Sequence, residues 1–127
     1  MNQSPVGVVL DFLNAWNHCE LDAVVSLFHD EIVYHNIPME PLNGKAEAAA
    51  FVRSMPGLES CRWELINAAA NGNVVLTERV DHFVINGCTV RIPVMGTFEI
   101  SEGKIRRWRD YFDLADFQQQ MNQAVSS

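Results

Sequence analysis

Residues 60–112 read SCRWELINAAANGNVVLTERVDHFVINGCTVRIPVMGTFEISEGKIRRWRDYF. Three dipeptides divide this run: Asn71-Gly72, Asn86-Gly87 and Glu102-Gly103. Asn-Gly is a strong hairpin signal because both central positions of a tight turn need positive φ, which Asn and Gly tolerate. The stretches between are rich in β-branched and aromatic residues, the composition of strands. They predict a long antiparallel meander of four strands over 61–70, 73–85, 88–100 and 104–112. Pro93 and Gly96 fall inside the third. Proline cannot donate to a ladder and glycine marks bends, so these two predict an edge position or a bulge.

Upstream of the meander the periodicity changes. Val8, Val9, Phe12, Leu13 and Trp16 repeat at helical spacing over 5–17, with Ser4 as N-cap and Pro5 at the first helical position. A second helix is predicted over 21–28. Residues 31–37 switch to alternation, which puts Ile32, Tyr34 and Asn36 on one face of a strand. Pro38, Pro41 and Gly44 mark a loop. Strong helix formers over 45–55 predict a third helix, closed by Pro56-Gly57. The tail over 114–124 reads as a short helix or mobile segment. Helices first and strands later predict an α+β fold in a single domain, 1–127: a cone-shaped, strongly curved, mixed but mostly antiparallel sheet packed against three N-terminal helices. Inward side chains of such a sheet converge on one cavity.

With 127 residues, 48% hydrophobic and 20% charged, the chain has the size and composition of one globular domain. No apolar run approaches the roughly 18 residues needed to span a bilayer, and the opening residues lack the basic region of a signal peptide. A net charge of −7 disfavours nucleic acid, which selects clustered Lys and Arg. Cys19, Cys61 and Cys88 have neither metal nor redox spacing, which points to a reducing, cytoplasmic setting and to buried or half-buried thiols.

Alternation puts Arg79, Asp81 and Phe83 on one face of their strand, with Glu78, Val80, His82 and Val84 on the other. Asp110 shares a face with Trp108 and Phe112. Singly, each polar residue has an ordinary reading: Arg79 and Asp81 as a solvated ion pair, Asp110 as a strand-end carboxylate, Tyr34 as a half-buried tyrosine with a wet hydroxyl. Together inside a curved sheet, Tyr34, Asn36, Arg79, Asp81 and Asp110 form a chemical unit. Two acids and one arginine in a dry pocket retain a proton between them, which leaves one acid and one base. That pair can activate water on one side of a substrate and protonate a leaving oxygen on the other, with Tyr34 and Asn36 holding the water. No serine or cysteine sits in a nucleophile's setting, so direct attack by water is expected. His18, His29, His35 and His82 lack the convergent spacing of metal ligands, and alternation points His35 and His82 away from the cavity.

The segments Tyr34-His-Asn36-Ile-Pro-Met, Arg79-Val-Asp81, Gly103-Lys-Ile and Trp108-Arg-Asp-Tyr-Phe-Asp113 resemble the limonene-1,2-epoxide hydrolase family, within the superfamily of nuclear transport factor 2 and ketosteroid isomerase. The resemblance covers nearly the whole chain and keeps the Tyr-x-Asn and Arg-x-Asp spacings. It implies an enzyme that opens an epoxide to a vicinal diol in one step without metal or organic cofactor. By the same resemblance Asp110 deprotonates the water that Tyr34 and Asn36 hold, Asp81 protonates the epoxide oxygen, Arg79 bridges the aspartates, and the chain forms a homodimer through the open face of its sheet. Phe83, Ile92, Val94, Phe112, Phe117 and Trp63 are candidate pocket walls, which would suit an apolar, bulky, neutral epoxide derived from a terpene, lipid or sterol. Two rivals share the fold: an isomerase- or polyketide-cyclase-like enzyme with Asp110 or Glu40 as base, and a non-catalytic ligand-binding or dimerisation module. The isomerase wants a tyrosine on the first helix, where this chain has Phe12 and Trp16, so Glu40 is read as a loop residue.

Overall fold

A computed structural model describes residues 3–126. The Ser4 hydroxyl accepts a hydrogen bond from Gly7 N at 3.1 Å and so caps α1 (Pro5–Asn17), whose apolar stripe of Val8, Val9, Phe12, Leu13 and Trp16 is buried. There follow α2 (Leu21–Ser26), β1 (Phe28–Asn36), β2 (Leu42–Asn43), α3 (Lys45–Arg53), β3 (Leu58–Asn71), β4 (Val74–Ile85), β5 (Cys88–Ser101), β6 (Lys104–Tyr111) and α4 (Leu114–Val125). The strands form one curved, open sheet in the order β2-β1-β6-β5-β4-β3. β1 runs parallel to β6, and the other neighbours are antiparallel. α1 packs on β3, β4 and β5, and α3 packs on β1, enclosing an aromatic core of Phe12, Trp16, Phe28, Phe98 and Trp108. The fold is thus the mixed α+β arrangement expected. Among the described residues no helix is long and apolar enough to cross a membrane.

Two of the three turns have positive φ at both central positions: Asn86 and Gly87 at 50° and 77°, Glu102 and Gly103 at 56° and 73°. The remaining turn is centred one residue later than Asn71-Gly72, because Asn71 still pairs with Val74. Cys61 is buried, and Cys19 and Cys88 are half-buried, as expected of unspecialised thiols.

Several boundaries move for identifiable reasons. Phe28 belongs to β1 rather than to the second helix, because it pairs with Ile105 of β6, a long-range contact invisible to helical periodicity. α3 stops at Arg53 instead of residue 55, since Pro56 keeps Met55 out of the helical region. Inside the Pro/Gly loop, β2 pairs with Val33 and Tyr34. The tail is helical, and Asp113 Oδ1 caps α4 by accepting from Asp116 N at 3.1 Å.

The third strand of the meander is not an edge. β5 lies between β4 and β6, and its pairing with β4 continues unbroken through Pro93 and Gly96. On the other side, however, β6 ends opposite Met95. Arg91 there meets α4 instead: its N–H donates to Gln120 Oε1 and its carbonyl accepts from Gln120 Nε2, both at 2.8 Å. Pro93, with no N–H to satisfy, occupies the uncovered step between these two partners. The pairing shifts lie elsewhere: between Leu58 and Ser60 and between Leu65 and Asn67 of β3, between Glu99 and Ile100 of β5 opposite β6, and between Phe28 and Val33 of β1 opposite β6.

Candidate active site

Strand register assembles the polar residues. One cross-sheet row runs Thr77, Gly96, Asp110, Asn36, and the next runs Val75, Phe98, Trp108, Tyr34. Arg79 stands two residues beyond Thr77 on β4, and its guanidinium reaches diagonally over Gly96 to Asp110. A Cβ on Gly96 would fall within 3.0 Å of Arg79 Nη1, Asp110 Oδ1 and Thr77 Oγ1. Glycine is needed here for that close approach, since its backbone is ordinary strand.

Arg79 is 1% exposed, Asp110 3% and Asp81 4%, so these charges depend on one another rather than on water. All five guanidinium hydrogens find acceptors. Nε and Nη2 donate to Asp81 Oδ1 and Oδ2 at 3.0 and 2.9 Å, while Nη2 and Nη1 donate to Asp110 Oδ2 and Oδ1 at 3.0 and 3.3 Å. Nη1 also donates to Thr77 Oγ1 at 3.1 Å, and that hydroxyl donates to the Gly96 carbonyl at 3.2 Å. Two bidentate forks on one guanidinium fix the separation and tilt of both carboxylates. Trp108 Nε1 adds a donation to Asp110 Oδ1 at 2.8 Å.

The charges in this cluster do not balance if both acids ionise. Burial raises the pKa of Asp81, the Arg79 guanidinium pulls it down, and the Asp110 carboxylate pushes it up again, leaving it above the usual carboxylate range. Burial alone would lower the pKa of Arg79, but the two aspartates more than offset this and keep the guanidinium charged. One cation, one carboxylate and one neutral acid form a neutral buried set.

Tyr34 is buried, not wet. It stacks flat on Trp108, with ring centroids 3.9 Å apart and planes at 2°, and its hydroxyl is hydrogen-bonded to Asn36. Burial, reinforced by Asp110, raises its pKa and keeps it a phenol. A cavity of about 70 Å³ opens over this cluster, with Tyr34, Asn36, Asp81 and Asp110 at its polar end. Phe83, Ile92, Val94, Phe112, Phe117 and Trp63 all border it; Arg79 lies behind the wall.

His35 Nε2 donates to the Met39 carbonyl at 2.9 Å, and His82 meets Glu64 at 3.1 Å, both away from the cavity. Glu40 is exposed and does not border the cavity. Among the described residues no cluster of three or more His, Cys, Asp or Glu is arranged to hold a metal ion. Sequence reading passes over three supports: Thr77, Gly96 and the indole nitrogen of Trp108. Thr77 lies on the period-two face of Arg79 and Asp81, a signal present in the sequence. The role of Gly96 emerges only from register. Met39, Phe51 and Met55 are further walls, supplied by the loop and helix before the meander.

Comparison with known proteins gives the same direction. The sequence model of the limonene-1,2-epoxide hydrolase catalytic domain matches residues 3–123. Epoxide hydrolase EphG of Mycobacterium tuberculosis (strain ATCC 25618 / H37Rv) is 36% identical over 105 residues, covering 83% of this chain and 70% of EphG. The solved structure of an LEH-like epoxide hydrolase from M. tuberculosis superposes with a TM-score of 0.82 at 32% identity, covering 96% of this chain and 92% of that one. A protein of Catenulispora acidiphila DSM 44928 with a ketosteroid isomerase-like fold shares the architecture, with a TM-score of 0.78 at 19% identity and coverage of 94% and 95%.

Proposed function

The chain belongs to the limonene-1,2-epoxide hydrolase family, and from that premise we propose that it adds water to a neutral, hydrophobic epoxide in one step, giving a vicinal diol without metal or organic cofactor. One observation carries the reading. Arg79 Nη2 is shared between Asp81 Oδ2 at 2.9 Å and Asp110 Oδ2 at 3.0 Å, at the inner end of an apolar cavity.

Asp81, with its raised pKa, holds the proton and is the acid; Asp110 is the base. Tyr34 and Asn36 hold a water molecule against Asp110, which takes its proton as the water oxygen attacks an oxirane carbon. The carbon–oxygen bond on that carbon breaks, and the oxirane oxygen takes the proton of Asp81. Negative charge therefore moves from Asp110 to Asp81. Because Arg79 grips both carboxylates by forks, that charge faces the same cation before and after the step, with little reorganisation. One proton transfer from Asp110 back to Asp81 restores the pair. Apart from the two acids, the described residues give the cavity wall no ionisable group but the Tyr34 phenol, which favours a neutral substrate.

A single turnover in ¹⁸O water tests the direct attack. Label is expected in the diol of the first turnover; label appearing first in an enzyme carboxylate overturns the mechanism in favour of an ester intermediate. A homodimer across the outer sheet face belongs to the same reading, supported by half-exposed Leu76, Met95 and Tyr111 on that face. Sedimentation of Met95→Glu is expected to shift the protein to monomer.

A further inference from the structure

A second chamber adjoins the cavity over the acid pair. This chamber, of about 190 Å³, shares Met39, Phe51, Met55, Phe83 and Phe117 with the first and continues past Ser54 and Pro56 at the end of α3 to Ile85 of β4 and Met121 of α4. It is the larger of the two, and its chemistry differs. Asp81, Asp110, Tyr34 and Asn36 border only the inner chamber. In the outer one, among the described residues, the only polar side chain is Ser54, whose hydroxyl already donates to the Phe51 carbonyl at 2.9 Å. No charged side chain among the described residues borders it.

An epoxide small enough to fit the inner chamber alone would leave this outer apolar surface against water. We propose that the outer chamber is a binding subsite for an uncharged hydrocarbon extension of the substrate. The substrate class is accordingly an elongated, neutral epoxide that carries its oxirane at or near one end, with its body lying between the end of α3 and α4. This rests on the hydrolase reading above and adds the shape and polarity of the substrate to it. Each methylene that leaves water for the chamber contributes a roughly constant increment, about two- to fourfold in binding. A charged group held at the same depth would find no partner, so it is excluded.

The test is a homologous series of terminal 1,2-epoxyalkanes from epoxybutane to epoxydecane, assayed on the intact protein. kcat/KM is expected to climb about two- to fourfold per methylene until the chamber is filled. In Met121→Gln, whose side chain is half-buried on α4 and tolerates polarity, the epoxydecane-to-epoxybutane ratio is expected to fall at least tenfold. Turnover of epoxybutane with no rise along the series overturns the subsite and leaves the hydrolase reading standing. Calorimetric binding of the corresponding 1,2-alkanediols reads the subsite without turnover. Affinity that grows with chain length, with a negative heat-capacity change, supports it even where no epoxide reacts, an outcome that counts against the hydrolase reading alone. Diol affinity independent of chain length overturns the subsite.

Discussion

Two charged triads of similar composition lie on opposite faces of the sheet. Asp81 and Asp110 border the cavity with Arg79 bridging them from behind; Arg62, Glu64 and His82 face outward, and His82 directly follows Asp81 in the chain. Separations are within ion-pair reach in both, at 2.9 and 3.0 Å inside against 3.1 and 3.7 Å outside. Solvent makes the difference. The side chains of Arg79 and Asp81 are 0% and 6% exposed, those of Arg62 and Glu64 64% and 47%. Asp81 is pushed up chiefly by burial, whereas Glu64 is held down chiefly by its hydrogen bond to His82. An acid that keeps its proton can donate it in a reaction, and an exposed carboxylate stabilised as an anion cannot.

The strongest way to break this contrast is to remove either inner acid. Asp81→Asn and Asp110→Asn are each expected to lower kcat with an epoxide about 10³-fold or more, within the range of general acid–base catalysis. Asp81→Asn should also cost about 1–3 kcal/mol of stability, because its amide nitrogen cannot accept from the guanidinium where a carboxyl oxygen does. Thermal melts beside the kinetics check this, and full activity in both variants would refute the assigned roles. Gly96→Ala comes next. Its methyl group forces Arg79 and Asp110 apart without removing either, with an expected loss of about 1–3 kcal/mol from overpacking and a drop in kcat/KM of roughly tenfold to a hundredfold. A chemical denaturation curve and steady-state rates read both.

pH sharpens the same comparison. Asp81 must be protonated to act as the acid, so kcat/KM falls as that carboxyl ionises. The falling limb is expected above the ordinary carboxylate range, because the folded pKa of Asp81 is raised. The linked stability has the corresponding sign. A folded pKa above the unfolded value of 3.8 means the native state holds the proton more tightly, so stability falls as pH climbs from there through the folded value. Asp81→Asn is expected to remove that slope from a pH series of denaturation curves. The smallest effect belongs to the outer triad: Glu64→Gln should leave kcat/KM within about twofold, as expected of a surface substitution away from the site.

Much of the site is legible before folding. The pairs Tyr34 with Asn36 and Arg79 with Asp81 follow from period-two alternation, and Thr77 extends the second pair by the same rule. The apolar walls on β4 and β5 follow likewise. Met39, Phe51 and Met55 do not, since a loop and a helix end have no face until the sheet curves beneath them.

Sequence alone determined which residue types alternate, where the chain turns, and therefore that the meander has one chemically unusual face. Which residues meet on that face was decided by tertiary structure. The Asn86-Gly87 turn, with Ile85 opposite Cys88, carries Gly96 opposite Thr77 by simple counting. The Glu102-Gly103 turn, with Ser101 opposite Lys104, would by the same counting set Gly96 opposite Arg109. The pairing instead slips by one residue between Ile100 and Glu99, and Gly96 faces Asp110. Side chains alternate with a period of two, so one inserted residue exchanges the faces of everything beyond it. That slip turns Trp108 and Asp110 inward and leaves Arg107 and Arg109 outside with Glu99. Its cause is packing: the buried Trp108 belongs against Phe12, Tyr34 and Phe98 in the core, and only the bulged register puts it there.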